Sequence, residues 1–258
     1  MQDHEIKCYG GQTCIEVANV TGGSGKSFTF SVNGGAIFPI DSCIKVFANE
    51  LPYLVSVFDS EGCRSQRELL ITQPEQIIVD LGDKLVVDLG DIETVSVNTN
   101  AVIDSISWQI NNTFNKYTYL NGIKSEIELE PSANSTIYAT VTDVNGCKET
   151  GELQVIVNSL RNVYIPNIFS PDGDGRNDEF KIKVGKGVTK VAYIQIFDRW
   201  GEKIYNEENI DPAGGFAGKW NGTYSGSKLN PGVYVYIIKV LFNDNREIIY
   251  RGSITLIK

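Results

Sequence analysis

Oxygen ligands gather in one short stretch, Asp172-Gly-Asp-Gly-Arg-Asn-Asp178, where Asp172, Asp174, Asn177 and Asp178 lie close together and Gly173 and Gly175 permit tight turns. A D-x-D-G start is how a Ca²⁺ loop begins, because this hard cation takes several oxygens at about 2.3–2.6 Å. The twelfth loop position, counted from Asp172, should then be a bidentate Glu. It is Lys183, and Glu179 stands nearer but out of place. The same carboxylates can instead accept backbone N–H groups in Asx turns, and the lysine favours that reading. Downstream, Trp200, Trp220 and Tyr234 supply aromatic faces. With a Ca²⁺-holding loop they would suit a calcium-dependent carbohydrate-binding module. Hydrolysis has little to work with. The sole histidine is His4, no nucleophile elbow occurs, and no acidic pair stands out as a glycosidase dyad. No enzyme is expected.

These residues sit among short apolar runs punctuated by Gly10-Gly11, Gly22-Gly23, Asn33-Gly34, Asn121-Gly122, Asn145-Gly146 and Asn221-Gly222. Such punctuation, with 25 Gly against one Met, predicts an all-β chain of three tandem immunoglobulin-like β-sandwich domains. Residues 162–258 hold 13 Lys+Arg against 11 Asp+Glu, a net of +2, whereas residues 1–161 hold 10 against 21, a net of −11. An acidic front argues against non-specific nucleic-acid binding, which needs clustered cations. No apolar run reaches the roughly 18 residues that span a bilayer, and no charged leader precedes an apolar segment. The expectation is a C-terminal piece of a longer secreted chain.

An internal echo sets the boundaries. Val57-Phe-Asp-Ser-Glu-Gly-Cys63 and Val141-Thr-Asp-Val-Asn-Gly-Cys147 share V-x-D-x-x-G-C, 84 residues apart. Each runs from an alternating strand into a tight turn, so domains are expected over 1–75, 76–160 and 161–258. Trp108, mid-strand in the second, is expected to be a core plug. Cys8, Cys14, Cys43 and Cys63 lack zinc-finger spacing and histidine partners, which points to disulfides and secretion. Four cysteines allow three pairings. One of them, Cys8–Cys63 with Cys14–Cys43, would tie the first strand of the domain to its last. Cys147 is left over, as a buried thiol or as a partner for something outside these four.

In the third region, Val191–Tyr205 reads as a strand, a turn near Trp200-Gly201-Glu202 and a return strand, with Ile194 and Ile196 on one face and Gln195 and Phe197 on the other. Arg199 is expected over the face of Trp200 or Trp220. Asn230-Pro-Gly-Val-Tyr-Val-Tyr236 launches a further strand, and Gly252–Lys258 is a terminal one, tied into its own sheet or open at an edge to a partner.

The order Pro166-Asn-Ile-Phe-Ser-Pro-Asp-Gly-Asp-Gly-Arg-Asn-Asp178, Ile196-Phe-Asp-Arg-Trp-Gly201, Trp220-Asn-Gly-Thr223 and Asn230-Pro-Gly-Val-Tyr-Val-Tyr236 resembles the gliding-motility-associated C-terminal domain, the type B sorting domain of type IX secretion cargo in Bacteroidota. The resemblance implies a domain that acts as an address. The outer-membrane type IX translocon recognises it, with an outer-membrane partner of the PorP/SprF kind, and the cargo stays on the cell surface. Residues matching the signature, and hence implied in partner recognition, are Pro166, Asn167, Phe169, Asp172, Gly173, Asp174, Gly175, Asn177, Asp178, Phe197, Arg199, Trp200, Gly201, Trp220, Asn221, Gly222, Gly232, Tyr234, Tyr236 and Gly252. Asp172 and Asp198 replace the family's usual Asn. The first region, with Cys8-Tyr-Gly-Gly11 and the Asp59–Cys63 turn, resembles a SprB-type repeat, and that resemblance implies a Cys8–Cys63 bridge, with Cys14 and Cys43 as additions. The second resembles a polycystic-kidney-disease-type or other immunoglobulin-like module. Together they imply the stalk of a cell-surface adhesin.

Overall fold

The computed structural model describes residues 5–23, 27–111, 116–119, 122 and 124–258. His4 and Asn121 lie outside them. The chain is all-β, in sheets that face one another as sandwiches. One compact unit comprises Met1–Asp80 with Asn98–Ile106 and Thr140–Gly151, and the other comprises Leu81–Val97, Ser107–Ala139 and Glu152–Lys258.

In the first unit, β1 (Gln12–Ile15) pairs antiparallel with β4 (Ile44–Phe47). A four-stranded sheet runs in the order β3 (Phe38–Pro39), β2 (Phe28–Val32), β5 (Tyr53–Asp59), β6 (Arg64–Leu69). Ile6, Ile15, Val17, Phe30, Val46, Val55 and Ile71 form the core between them. The short pair β7 (Val79–Asp80) and β10 (Asn98–Thr99) belongs to this unit too.

The middle strands form two further sheets. One has the order β11 (Ile103–Ile110), β14 (Ser135–Asp143), β15 (Lys148–Asn158), β8 (Lys84–Asp88), the last pair being parallel. The other is β12 (Lys116–Tyr119), β13 (Glu126–Glu130), β9 (Glu93–Ser96). In the second unit, Val95, Trp108, Ile127, Leu129, Ile137, Leu153 and Val155 are buried at alternate positions, the period-2 pattern of a half-buried strand. Trp108 is a core plug, and its Nε1 donates to the Lys124 carbonyl at 2.6 Å, which satisfies the one polar atom it buries.

The last ninety-odd residues build a three-stranded sheet, β16 (Val163–Tyr164), β18 (Phe180–Val184), β21 (Phe216–Trp220). Across from it lies a five-stranded sheet in the order β17 (Ile168–Phe169), β25 (Glu247–Leu256), β24 (Gly232–Phe242), β19 (Val188–Phe197), β20 (Lys203–Ile210). A small hairpin, β22 (Thr223–Tyr224) with β23 (Ser227–Lys228), projects beyond β21. The strand β25 is interior, pairing parallel with β17 and antiparallel with β24. Its Gly252 lies opposite Tyr236, whose ring occupies the space a Cβ would need.

Two cysteine expectations are corrected. Cys8 bonds Cys147, not Cys63, with a Cα–Cα distance of 5.5 Å. Cys147 is therefore no free thiol, and Cys63 is the exposed one. Geometry explains why. The loop after Cys8 is anchored near Gln73, whose Oε1 accepts from the Gly10 amide at 2.8 Å. Cys63 lies at the opposite end of β6 from Gln73. At about 3.3 Å per residue that strand alone separates the two ends by roughly 20 Å, several times the reach of a disulfide. Cys14 bonds Cys43.

Candidate functional site: the loop-bearing end of the C-terminal sandwich

The site is organised around Trp220, the last residue of β21 and 1% exposed. Its ring packs on Phe169 at 5.0 Å between centroids, on Tyr234 at 5.5 Å and on Tyr205 at 6.4 Å, joining β21 to both edges and the middle of the larger sheet. Its Nε1 donates to the Thr223 carbonyl at 3.1 Å, and the Tyr234 hydroxyl donates to the Asn230 carbonyl at 2.7 Å. Aromatic pairs of this kind add about 0.5–1.5 kcal/mol each beyond area burial. Burial and the Glu207 carboxylate together push the Tyr205 phenol far above its ordinary range, so it stays a donor at any physiological pH.

Three loops ring this plug. The first, between β17 and β18, carries Asp172–Asp178. Asp178 accepts from the Gly173 amide at 2.6 Å and the Gly175 amide at 2.8 Å. Asp172 accepts from the Asp174 amide and the Ser170 hydroxyl, and Asp174 from the Arg176 amide. Five of the six carboxylate oxygens are thus engaged inside the loop. One oxygen from each Asp lies within 4.8 Å of the others. A Ca²⁺ ion wants six to eight oxygens, and these three residues offer few that are not already accepting. The residues present fit an Asx network better than a cation cage. Chelation with EDTA is expected to leave the melting temperature unchanged, and millimolar Ca²⁺ is expected not to raise it; a calcium-dependent rise in a thermal scan would overturn the Asx reading.

The second loop joins β19 to β20. Asp198 Oδ1 accepts from the amides of Trp200 and Glu202, both at 2.9 Å, and Gly201 adopts φ +85, a left-handed conformation that suits glycine. With the carboxylate turned into the loop, Arg199 and Trp200 project outward. Trp200 is 85% exposed. The expected Arg199–Trp contact is absent among the described residues; the cation over a ring in this sandwich is Arg161, 5.3 Å from the Phe242 centroid. The third loop is the β22–β23 hairpin, which borders both others. Gly222 lies against Pro171 and Phe169, and the Tyr224 hydroxyl donates to Glu202 at 2.9 Å.

Residues 163–256 match the family model of the CHU_C type IX secretion signal domain. The C-terminal sandwich is a type IX secretion signal domain by that match. No curated protein sequence matches the chain. Among solved structures, the chain resembles the eight N-terminal Ig domains of Down Syndrome Cell Adhesion Molecule at 12% identity and a TM-score of 0.38, covering 98% of this chain and 34% of that one. It also resembles dimeric latent PorU from Porphyromonas gingivalis at 11% identity and a TM-score of 0.28, covering 86% and 25%. Insect hemolin aligns at 10% identity and a TM-score of 0.31, covering 98% and 73%. The chain spans about a third and a quarter of the first two proteins' lengths.

Within the signal domain the signature residues divide in two. Phe169, Trp220, Gly222 and Tyr234 are buried, and Phe197, Gly232, Tyr236 and Gly252 are half-buried. Asn167, Asp172, Gly173, Asp174, Gly175, Asn177, Arg199, Trp200, Gly201 and Asn221 are exposed, with Pro166 and Asp178 between. Trp220 and Tyr234 therefore offer no sugar-stacking face. An open groove of about 710 Å³ runs beside the first loop. Pro166, Asn167, Phe169, Gly175, Asn177 and Asp178 line it, joined by Tyr164, Lys181 and Lys183. The place of Tyr164, Lys181 and Lys183 in the groove, and the Tyr224–Glu202 clasp, escaped the sequence reading. The turn near Trp200-Gly201-Glu202 was read from the sequence, and its D-x-x-G spacing repeats that of Asp59 and Asp143.

Proposed function

We propose that the chain is the C-terminal region of a secreted cell-surface adhesin, and that its signal domain is read by the type IX translocon and by an outer-membrane partner of the PorP/SprF kind. The family match over residues 163–256 carries this reading. The partner meets the exposed half of the signature. It grips the groove beside Asp172–Asp178 and the Trp200 tip, while the buried half holds those loops in place. An exposed tryptophan on a fixed turn is a fitting anchor for a protein partner. Residues 1–75 and 76–160 act as modules of a stalk, the first of SprB type, and retain the adhesive or gliding role on the surface. No helix among the described residues is long and apolar enough to cross a membrane.

The test fuses residues 162–258 to a periplasmic reporter in a gliding bacterium. The fusion is expected to reach the surface, to remain in the periplasm when the outer-membrane partner is deleted, and to remain there when residues 164–258 are removed. Surface delivery of the truncated chain would refute the address.

A further inference from the structure

Within the second compact unit, two glycines meet where the turn between β8 and β9 touches the terminal sandwich. The Asp91 amide closes that turn by donating to the Asp88 carbonyl at 3.0 Å. Gly90, third in the turn, has φ +91, the left-handed conformation that a type II turn needs there. A Cβ on Gly90 would lie 2.4 Å from the Gly187 nitrogen and from the Lys186 carbonyl carbon. Gly187, between β18 and β19, has no positive φ, so its own backbone would admit a side chain. What forbids one is Leu89: a Cβ on Gly187 would come within 2.9–3.0 Å of Leu89 Cγ, Cδ2 and carbonyl oxygen. Leu89 is 4% exposed although it sits at the tip of a turn. Beside it, Lys186 Nζ reaches Asp91 Oδ1 at 2.6 Å.

The connecting chain is tied down at both of its ends. Upstream, the Leu89 amide donates to the Asn158 carbonyl at 3.0 Å, and Asn158 Nδ2 donates to Asp88 Oδ1 at 3.1 Å. Downstream, the Asn162 carbonyl accepts from the Gly185 amide at 2.7 Å, and Arg161 pairs with Asp244 while lying over the Phe242 ring. Both side chains of that pair are 14% exposed, so losing one partner strands a largely buried charge. The Asn243 amide donates to the Gly187 carbonyl at 3.0 Å, which joins the turns that receive Leu89 and Arg161 into one socket. Only Ser159 and Leu160 separate the two anchors, a reach of roughly 7 Å. Sandwiches joined in series ordinarily move against one another unless such contacts stop them.

The socket turns, 185–187 and 243–246, lie at one end of the terminal sandwich, and the loops bearing Asp172 and Trp200 lie at the other. At about 3.3 Å per residue, the eleven residues of β24 set roughly 35 Å between those ends. We propose that the Leu89 turn and Arg161 form a clamp that holds the terminal sandwich in one orientation on the strands before it. Its loops are thereby displayed at the free end in a fixed direction, not on a swivel. The clamp stands whatever reads those loops, since none of the signature residues takes part in it.

The experiment uses the full chain in a Cys63→Ser background, with spin labels on Glu128→Cys and Ser253→Cys, two exposed strand positions on either side of the clamp. Electron–electron dipolar spectroscopy should give one narrow distance peak. Gly187→Val, which drives a side chain into Leu89, and Asp244→Ala, which frees Arg161 without touching the backbone, should each spread that peak into a broad distribution. Trypsin gives the second readout. Cleavage after Arg161 should be at least tenfold faster in both variants, releasing 162–258 as an intact fragment, which shows that the terminal sandwich itself stays folded. A broad distribution before either substitution would overturn the clamp outright, with no variant needed. So would a peak that stays narrow in both variants, or cleavage after Arg161 that is as fast without them.

Discussion

Trp220→Ala should cost the signal domain about 3–5 kcal/mol, because the ring is fully buried and its neighbours Phe169, Tyr234 and Tyr205 come from separate strands that cannot collapse onto the void. For a domain of this size that is a fall in melting temperature of roughly 12–30 °C. Trp200→Ala removes a side chain that is 85% exposed and should change stability by less than about 0.5 kcal/mol. Export should respond differently. Trp220→Ala is expected to abolish surface delivery by unfolding the address, whereas Trp200→Ala should lower delivery several-fold with the melting curve intact. Scanning calorimetry of the isolated variants, beside surface labelling of cells, separates the two. Normal delivery of Trp200→Ala would remove the tip from the recognition surface.

The second large effect lies in the bridges. Cys8–Cys147 closes a loop of 139 residues and Cys14–Cys43 one of 29. In the chain-entropy account these contribute about 5 and about 3.5 kcal/mol respectively, by restricting the unfolded chain. Cys8→Ser should therefore lower the denaturant midpoint of the unit that holds it more than Cys14→Ser does. It also leaves Cys147 as a buried thiol. Chemical unfolding of both variants under non-reducing conditions measures the order, and a larger loss in Cys14→Ser would show that local packing, not loop length, governs the bridges.

Much of the architecture was readable because it is local. Alternation marked the strands, and D-x-x-G-C marked the turns at Asp59 and Asp143, since a carboxylate that accepts two amides and a glycine with positive φ are properties of five consecutive residues. Disulfide pairing is not local. Cys8 is held away from Cys63 by the Gly10 amide, which anchors its loop at Gln73, a contact between residues 63 apart that no spacing rule carries. The candidate site shows the same divide. Trp200 and Trp220 are both aromatic signature residues close to a glycine, yet one is 85% exposed and the other 1%. The difference comes from the backbone beneath them. Trp200 sits within a turn whose inward positions are taken by the Asp198 carboxylate, and Trp220 closes a strand on its buried side. A motif names both residues without saying which faces a partner.

The interior position of β25 has a consequence for timing. Its two neighbours, β17 and β24, cannot be bridged until Thr255 and Leu256 exist to pair with Ile168 and Phe169. Contacts that join residues so far apart close late, since the loop-closure entropy must be met first. A chain lacking β25 would keep β24, β19 and β20 paired but leave β17 without a neighbour in the five-stranded sheet.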